Sequence, residues 1–142
     1  MPHKGPVNWQ PIRHMPMIAR MIDDALDDTR KQLETLAEAR VRPHVLDDAT
    51  IDRVEQVHTE QLQFVDIYAE QISRWRTEKP SADQTRELDR MEAQNQQLRA
   101  ATTDILTLAS ELRKGTIERV MGMSDVELGL QALLGSRLPG RR

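Results

Sequence analysis

The stretch that decides the fold is residues 51–75, which read IDRVEQVHTEQLQFVDIYAEQISRW. Its side chains repeat every three or four residues, which is the period of one face of an α-helix. The repeat runs through Ile51, Val54, His58, Gln61, Val65, Tyr68, Ile72 and Trp75. The apolar members of this stripe must be buried against other helices, whereas its polar members need a separate explanation.

Two further stripes of the same period predict a helix on either side of this one. The stripe that follows contains Leu88, Met91, Asn95, Leu98, Thr102 and Ile105. The stripe that precedes it runs from Ile18 to Ala37 and includes Thr29. With one Phe and one Tyr, the chain must build its core from Leu, Ile, Val, Met and Ala, a composition typical of helices rather than sheets.

Local signals set the ends of the first two helices. Pro16 is favoured in a first turn, and Pro43 disfavours helical geometry in the residue before it, so the first helix is expected between them. Either Asp47 or Asp48 is expected to cap the second helix, which should end near Thr77.

The third helix and the C-terminal region carry signals of the same kind. Ser81 and Gln84 have the spacing of a capping box, and Gly115 is the expected C-cap of the third helix. Beyond Gly115, further capping signals predict one or two short helices, Ile117–Met121 and Asp125–Leu134.

These elements predict an all-α fold. Three long helices with short connections favour an antiparallel up-down-up bundle, here completed by one or two short C-terminal helices. The length of 142 residues fits one domain. We expect an extended N-terminal arm over 1–15, a helical bundle domain over 16–135 and a flexible tail over 136–142.

Composition excludes several classes of function. The absence of cysteine excludes disulfides, thiolate metal sites and cysteine catalysis, and it suits a cytoplasmic location. No apolar run approaches the roughly 20 residues that span a bilayer, so no membrane association is expected. The net charge of -3, with 30% charged residues, gives no general attraction to nucleic acid. Residues 116–135 have a helix-turn-helix outline, but the second helix is acidic and apolar and would repel phosphate.

Enzymatic motifs are missing from the sequence. It contains no Gly-x-Ser-x-Gly elbow, phosphate-binding glycine loop or dinucleotide fingerprint. We therefore expect a protein that is not an enzyme and has no cofactor. An alternative is a metal- or small-ligand-binding bundle centred on Glu55 and His58, because a Glu-x-x-His pair presents both ligands on one helical face. The chain holds one such pair, whereas di-iron bundles need two, so a stripe histidine hydrogen-bonded to a neighbour such as Asn95 or Gln61 is the better explanation of His58.

The polar residues of the stripes have two further interpretations. His58, Gln61, Asn95, Thr29 and Thr102 would set helix register or oligomeric state if they form a buried layer. They would face solvent or a groove if a three-helix bundle leaves part of each stripe open. A separate acidic patch (Asp23, Asp24, Asp27 and Asp28) fits a solvated face, because a straight helix cannot wrap its carboxylates around one ion.

Apolar area favours self-association. The three stripes, together with C-terminal leucines such as Leu130 and Leu134, supply more apolar surface than a slim bundle can bury. A homodimer, or another homo-oligomer, is the simplest way to cover it, and a different protein partner is the alternative. Trp9 lies in a proline-rich arm and is expected to dock on the bundle or on a partner chain.

Overall fold

The computed structural model describes residues 7–42 and 46–121 and shows an all-helical protein. A short 3-10 turn, Ile12–His14, leads into helix α1, Met15–Val41. Helix α2 is Asp48–Arg76 and helix α3 is Ala82–Met121. The three helices pack together, and no strand occurs in the described ranges.

The helix ends follow the local chemistry of the sequence. Pro16 lies in the first turn of α1. The Asp47 side chain accepts a hydrogen bond from the Thr50 backbone N–H at 2.9 Å and so caps α2. Before α3, the Gln84 N–H donates to Ser81 Oγ at 3.1 Å, and the Ser81 N–H donates to Gln84 Oε1 at 2.9 Å. This reciprocal pair is the predicted capping box.

Lys79 lies in the short connection between α2 and α3. Its φ angle of 53° lies in the left-handed region, which costs a residue with a Cβ roughly 1–2 kcal/mol. The turn is therefore reached at some conformational cost. The capping interactions on both sides of it offset part of that cost.

The prediction that Gly115 ends the third helix is wrong, because α3 continues without a break to Met121. Glycine lowers the stability of a helix but does not prevent one, and no change of chain direction requires a left-handed residue here. The first of the predicted short helices is thus the last part of α3. The second one and the tail lie outside the described residues.

Three apolar clusters form the core along the length of the helices. One end contains Met15, Ile18, Ala19, Ile22, Ile72, Trp75, Leu88 and Met91. The middle contains Leu26, Val65, Leu98 and Ala101. The other end contains Leu36, Ala39, Ile51, Val54, Ile105, Leu108, Ala109 and Leu112. Every cluster draws on all three helices, so most apolar residues of the stripes are buried as their spacing predicts. Met21 and Ala37 of the first stripe are exceptions, because both are exposed.

Helix α3 is the central element of the packing. It lies close to both other helices along its length, whereas the backbones of α1 and α2 approach each other closely at few points. Ion pairs follow the same pattern. Arg90 bonds Asp23 of α1 at 3.0 Å, and Arg113 bonds Glu55 of α2 at 2.6 Å. No described helix is long and apolar enough to cross a bilayer.

Candidate functional site

A buried polar layer joins the three helices at mid-length. Gln61 of α2 donates from Nε2 to Thr29 Oγ1 of α1 at 2.9 Å and to Thr102 Oγ1 of α3 at 2.8 Å. Thr102 is fully buried and passes its own hydroxyl hydrogen to the Leu98 carbonyl at 2.6 Å. The layer thus takes one side chain from each helix.

The chemistry of this layer suits alignment rather than catalysis. An amide and two hydroxyls contain no group that titrates near neutral pH, and no acid or base lies among the hydrogen-bond partners of this layer. If α2 slid by a turn, Gln61 would lose both threonines, and a slide of α1 or α3 would cost it one of them. The apolar side chains nearby offer no replacement partners.

His58 and Asn95 are buried but bond elsewhere. The Nδ1 of His58 donates to the Val54 carbonyl of its own helix at 2.8 Å. Asn95 donates from Nδ2 to the Val65 carbonyl of α2 at 3.0 Å, while its buried Oδ1 has no hydrogen-bond partner in the described part of the chain. Three of the five polar stripe residues therefore bond one another in the layer, whereas His58 and Asn95 bond backbone carbonyls outside it.

Among the described residues, the Glu55 and His58 pair gains no third metal ligand. Arg113 bonds the Glu55 carboxylate and also Asp52, and these two hydrogen bonds raise the pKa of the Arg113 guanidinium. Within residues 7–42 and 46–121, no group of three His, Asp or Glu side chains converges on one point. The carboxylate of Glu55 serves as an ion-pair partner in this arrangement.

The acidic patch on α1 is partly neutralised. Arg90 donates two hydrogen bonds to the Asp23 carboxylate, at 3.0 and 3.1 Å, and Gln94 donates a third at 3.1 Å. The hydrogen bond from Arg90 is the largest cause of the lowered pKa of Asp23. Asp27 pairs with Lys31 at 3.2 Å. The patch is a charged surface that contacts α3.

The N-terminal arm docks on α2 of its own chain. The Gln10 backbone N–H donates to Gln71 Oε1 at 2.7 Å, and the Trp75 indole N–H donates to the Gln10 carbonyl at 2.8 Å. The Arg74 guanidinium lies 4.3 Å from the centre of the Trp9 ring, which is cation–π distance. The arm is therefore bound through its backbone and one aromatic ring.

An exposed apolar surface runs along α1 and α2. Met17, Met21, Val57 and Phe64 are 43% to 50% exposed, and together they define what we call the α1/α2 face. Met17 and Met21 are one turn apart on α1. Val57 and Phe64 are two turns apart on α2, with Gln61, which bonds Thr29 of α1, between them on the same stripe.

Residues one turn from each pair pack against the same core cluster. Ala25, one turn after Met21, packs against the same core cluster as Tyr68, one turn after Phe64. The Phe64 and Tyr68 ring centres are 6.5 Å apart. Helix α3 packs along both helices, and these four side chains stay exposed in the part of the chain that the structure describes.

The sequence did not indicate that Gln71 and Trp75 bond the N-terminal arm, or that Phe64 is exposed. Gln71 and Trp75 are four residues apart and so share one face of α2, which is the signal that was available. Leu130 and Leu134, predicted as contact residues, lie outside the described residues. Comparison of the chain with protein-family models, curated proteins and solved structures gave no match, so the function is argued from its own residues.

Proposed function

We propose that this protein is a self-associating helical interaction module, a homodimer that uses the α1/α2 face as its contact surface. It acts by binding rather than by catalysis and needs no cofactor. The proposal includes a cytoplasmic location, which suits a chain without cysteine.

The proposal takes the three helices as an up-down-up bundle. Two contacts between α1 and α3 support it, Asp23 with Arg90 and Arg40 with Glu111, because residue numbers rise together in parallel helices. Between α2 and α3 the order is reversed, since Asp66 meets Arg99 and Asp52 meets Arg113. A C-terminal helix over 125–134 is part of the same proposal and would add Leu130 and Leu134 to the apolar contact area.

The α1/α2 face is the observation that carries the proposal. A single exposed apolar residue is normal on a protein surface, but several large ones on neighbouring helices favour an interaction site. Here four large side chains lie along two neighbouring helices and remain half-exposed in the folded chain. Taking such a side chain from full exposure to full burial is worth about 1.5–3 kcal/mol, so each of these four, already about half-buried, can contribute roughly half of that on association.

A second copy of the chain fits this face best. In a two-fold dimer the same patch lies on both subunits, so one exposed face per chain is sufficient. Exposed charges of both signs flank the apolar residues, for example Asp28 on α1 and Arg53 on α2. A second copy would therefore not meet a surface of uniform like charge.

The test is a charge placed at the centre of the face. Phe64→Glu should weaken dimerisation by at least about tenfold, because a carboxylate would be buried in an apolar contact. Ala100→Glu, at an exposed position of α3, is the matched control and should leave the dimer intact. Sedimentation velocity over a concentration series measures both, and circular dichroism confirms that both variants fold. Equal dimerisation of the two variants would rule out this face as the contact.

A further inference from the structure

Two methionines lie half-exposed on the α1/α2 face. Met17 and Met21 are one turn apart near the start of α1, and their side chains are 47% and 43% exposed. Met15 and Met91 belong to the core cluster at the same end of the bundle and are 4% and 1% exposed. Solvent therefore reaches the side chains of Met17 and Met21 far more readily than those of the two buried methionines.

The sulfur atoms give these two positions a chemistry that other apolar residues lack. Leucine has a similar volume and would supply the same kind of apolar contact, but it has no thioether. A thioether is oxidised to a sulfoxide, which turns a flexible apolar side chain into a polar one, and methionine sulfoxide reductases reverse the change. Because the sequence contains no cysteine, the methionine thioethers are the only sulfur atoms of the chain that an oxidant can attack.

We propose that the α1/α2 face carries a redox switch, in which a peroxide oxidises Met17 and Met21 and the oxidised chain no longer dimerises. This inference rests on the proposed function, because the face must first be the contact surface of the dimer. Oxidation acts on the monomer, in which both side chains are open to solvent. A peroxide and a second copy of the chain therefore compete for the same two side chains.

The chemical step is a two-electron oxidation that transfers one oxygen atom to sulfur. A lone pair of the thioether sulfur attacks one oxygen of hydrogen peroxide, so that an S–O bond forms while the O–O bond breaks. The other oxygen leaves as hydroxide and takes up the proton that the transferred oxygen loses, which gives water. Sulfur is oxidised to the sulfoxide and the peroxide is reduced to water, so the step balances without a further reactant.

A sulfoxide at these positions opposes association. Its oxygen accepts hydrogen bonds from water in the monomer, and burial of such a group without a donor carries a penalty. The other members of the face, Val57 and Phe64, have hydrocarbon side chains that donate no hydrogen bond. In a two-fold dimer the same residues lie on the opposing face. Oxidation thus removes apolar contact area and adds an acceptor that the contact leaves unpaired.

The site of oxidation is tested first. The full chain is exposed briefly to hydrogen peroxide, and tandem mass spectrometry measures the sulfoxide at each methionine. Met17 and Met21 should be oxidised at least about tenfold faster than Met15 and Met91, because the buried pair reacts only when the core opens. Equal rates at these four methionines would overturn the proposal.

The effect on the dimer is tested by sedimentation velocity, with circular dichroism to confirm that the treated chain stays folded. Oxidation should raise the dissociation constant of the wild-type dimer at least about tenfold, and treatment with methionine sulfoxide reductases should restore it. The double variant Met17→Leu/Met21→Leu is the matched control, because it keeps the apolar volume of the face and every other methionine. It should dimerise equally before and after peroxide. An equal rise in its dissociation constant would place the effect at another methionine and overturn the proposal.

The outcomes separate this inference from the proposed function. An untreated wild type that stays monomeric contradicts self-association, and the switch fails with it. An untreated wild type that dimerises, and keeps the same dissociation constant once Met17 and Met21 are oxidised, contradicts the switch alone.

Discussion

Gln61 shows how one residue connects the packing of the bundle to its alignment. Its amide reaches a threonine on each of the other helices, and both threonines are buried. A buried polar residue that finds partners on neighbouring helices favours one register over the alternatives, as a polar residue does in a coiled-coil core. His58 occupies the same stripe but bonds a carbonyl of its own helix, so this bond does not favour one helix register over another.

Removal of this amide tests the layer. Gln61→Ala should lower the free energy of unfolding by about 1–3 kcal/mol, because Thr29 and Thr102 lose their shared donor while still buried. Urea denaturation measures the change. Gln63→Ala, a half-buried glutamine on the same helix, is the control and should change stability by less than about 0.5 kcal/mol. Equal effects of the two substitutions would mean that the layer contributes nothing specific.

Asp23 gives a prediction that depends on pH. Its pKa is lowered in the folded chain, chiefly by the hydrogen bonds from Arg90, so the unfolded chain binds a proton more readily. The stabilisation by this pair is therefore complete above the unfolded pKa, near 3.8, and is lost as pH falls through the folded value. Asp23→Asn should accordingly be less stable than the wild type at neutral pH.

Urea denaturation at several pH values measures this difference. The gap between Asp23→Asn and the wild type should close as the pH is lowered below 3.8. Asp24→Asn, an exposed neighbour, is the control and should follow the wild type throughout. A gap that stays constant with pH would show that the ion pair is not its source.

At the scale of elements, α3 is the helix whose end the sequence failed to indicate. The start of α3 depends on Ser81 and Gln84, two capping residues only three positions apart, and the sequence predicts it well. Its end depends on whether the free energy that residues beyond Gly115 gain in the helix exceeds the cost of a glycine within it. No local sequence motif indicates this balance. No local motif indicates that the N-terminal arm docks on α2 either, because Gln10 and its partner Gln71 are 61 positions apart.

Gly115 provides a direct test of the continuous helix. A Cβ added here would meet no other atom within 4 Å, so Gly115→Ala should raise stability by about 0.5–1 kcal/mol. Thermal unfolding followed by circular dichroism measures the gain. The reverse change at an exposed position of the same helix, Ala100→Gly, should cost a similar amount. A loss of stability in Gly115→Ala would mean that the residue has a left-handed conformation and ends the helix.

The docked arm makes a prediction at the same scale. Gln71→Ala removes the acceptor of the Gln10 N–H, so that amide should exchange its hydrogen with solvent at least about tenfold faster. Hydrogen exchange measured by NMR follows this one site. Gln56→Ala, on an exposed part of α2, should leave the rate unchanged. An unchanged rate in Gln71→Ala would show that the arm is held by other contacts.

At the scale of the whole molecule, the sequence predicts the burial of the stripes but not the use of their polar residues. Local spacing is enough to show that Ile51, Val65 and Leu98 leave water, and all three are buried. Which polar residues meet depends on the relative register of three helices, a property of the assembled core. The α1/α2 face becomes visible only when the helices are packed. Met21 belongs to the predicted stripe of the first helix, and Phe64 lies outside the stripe of the second, so the spacing alone does not relate them.

The molar mass in solution tests the central claim, self-association, most directly. Sedimentation equilibrium from about 1 to 100 μM should give a mass that approaches twice the 16.3 kDa of one chain at the upper concentrations, because mass action favours the dimer there. A mass of 16.3 kDa across the whole series would contradict the account.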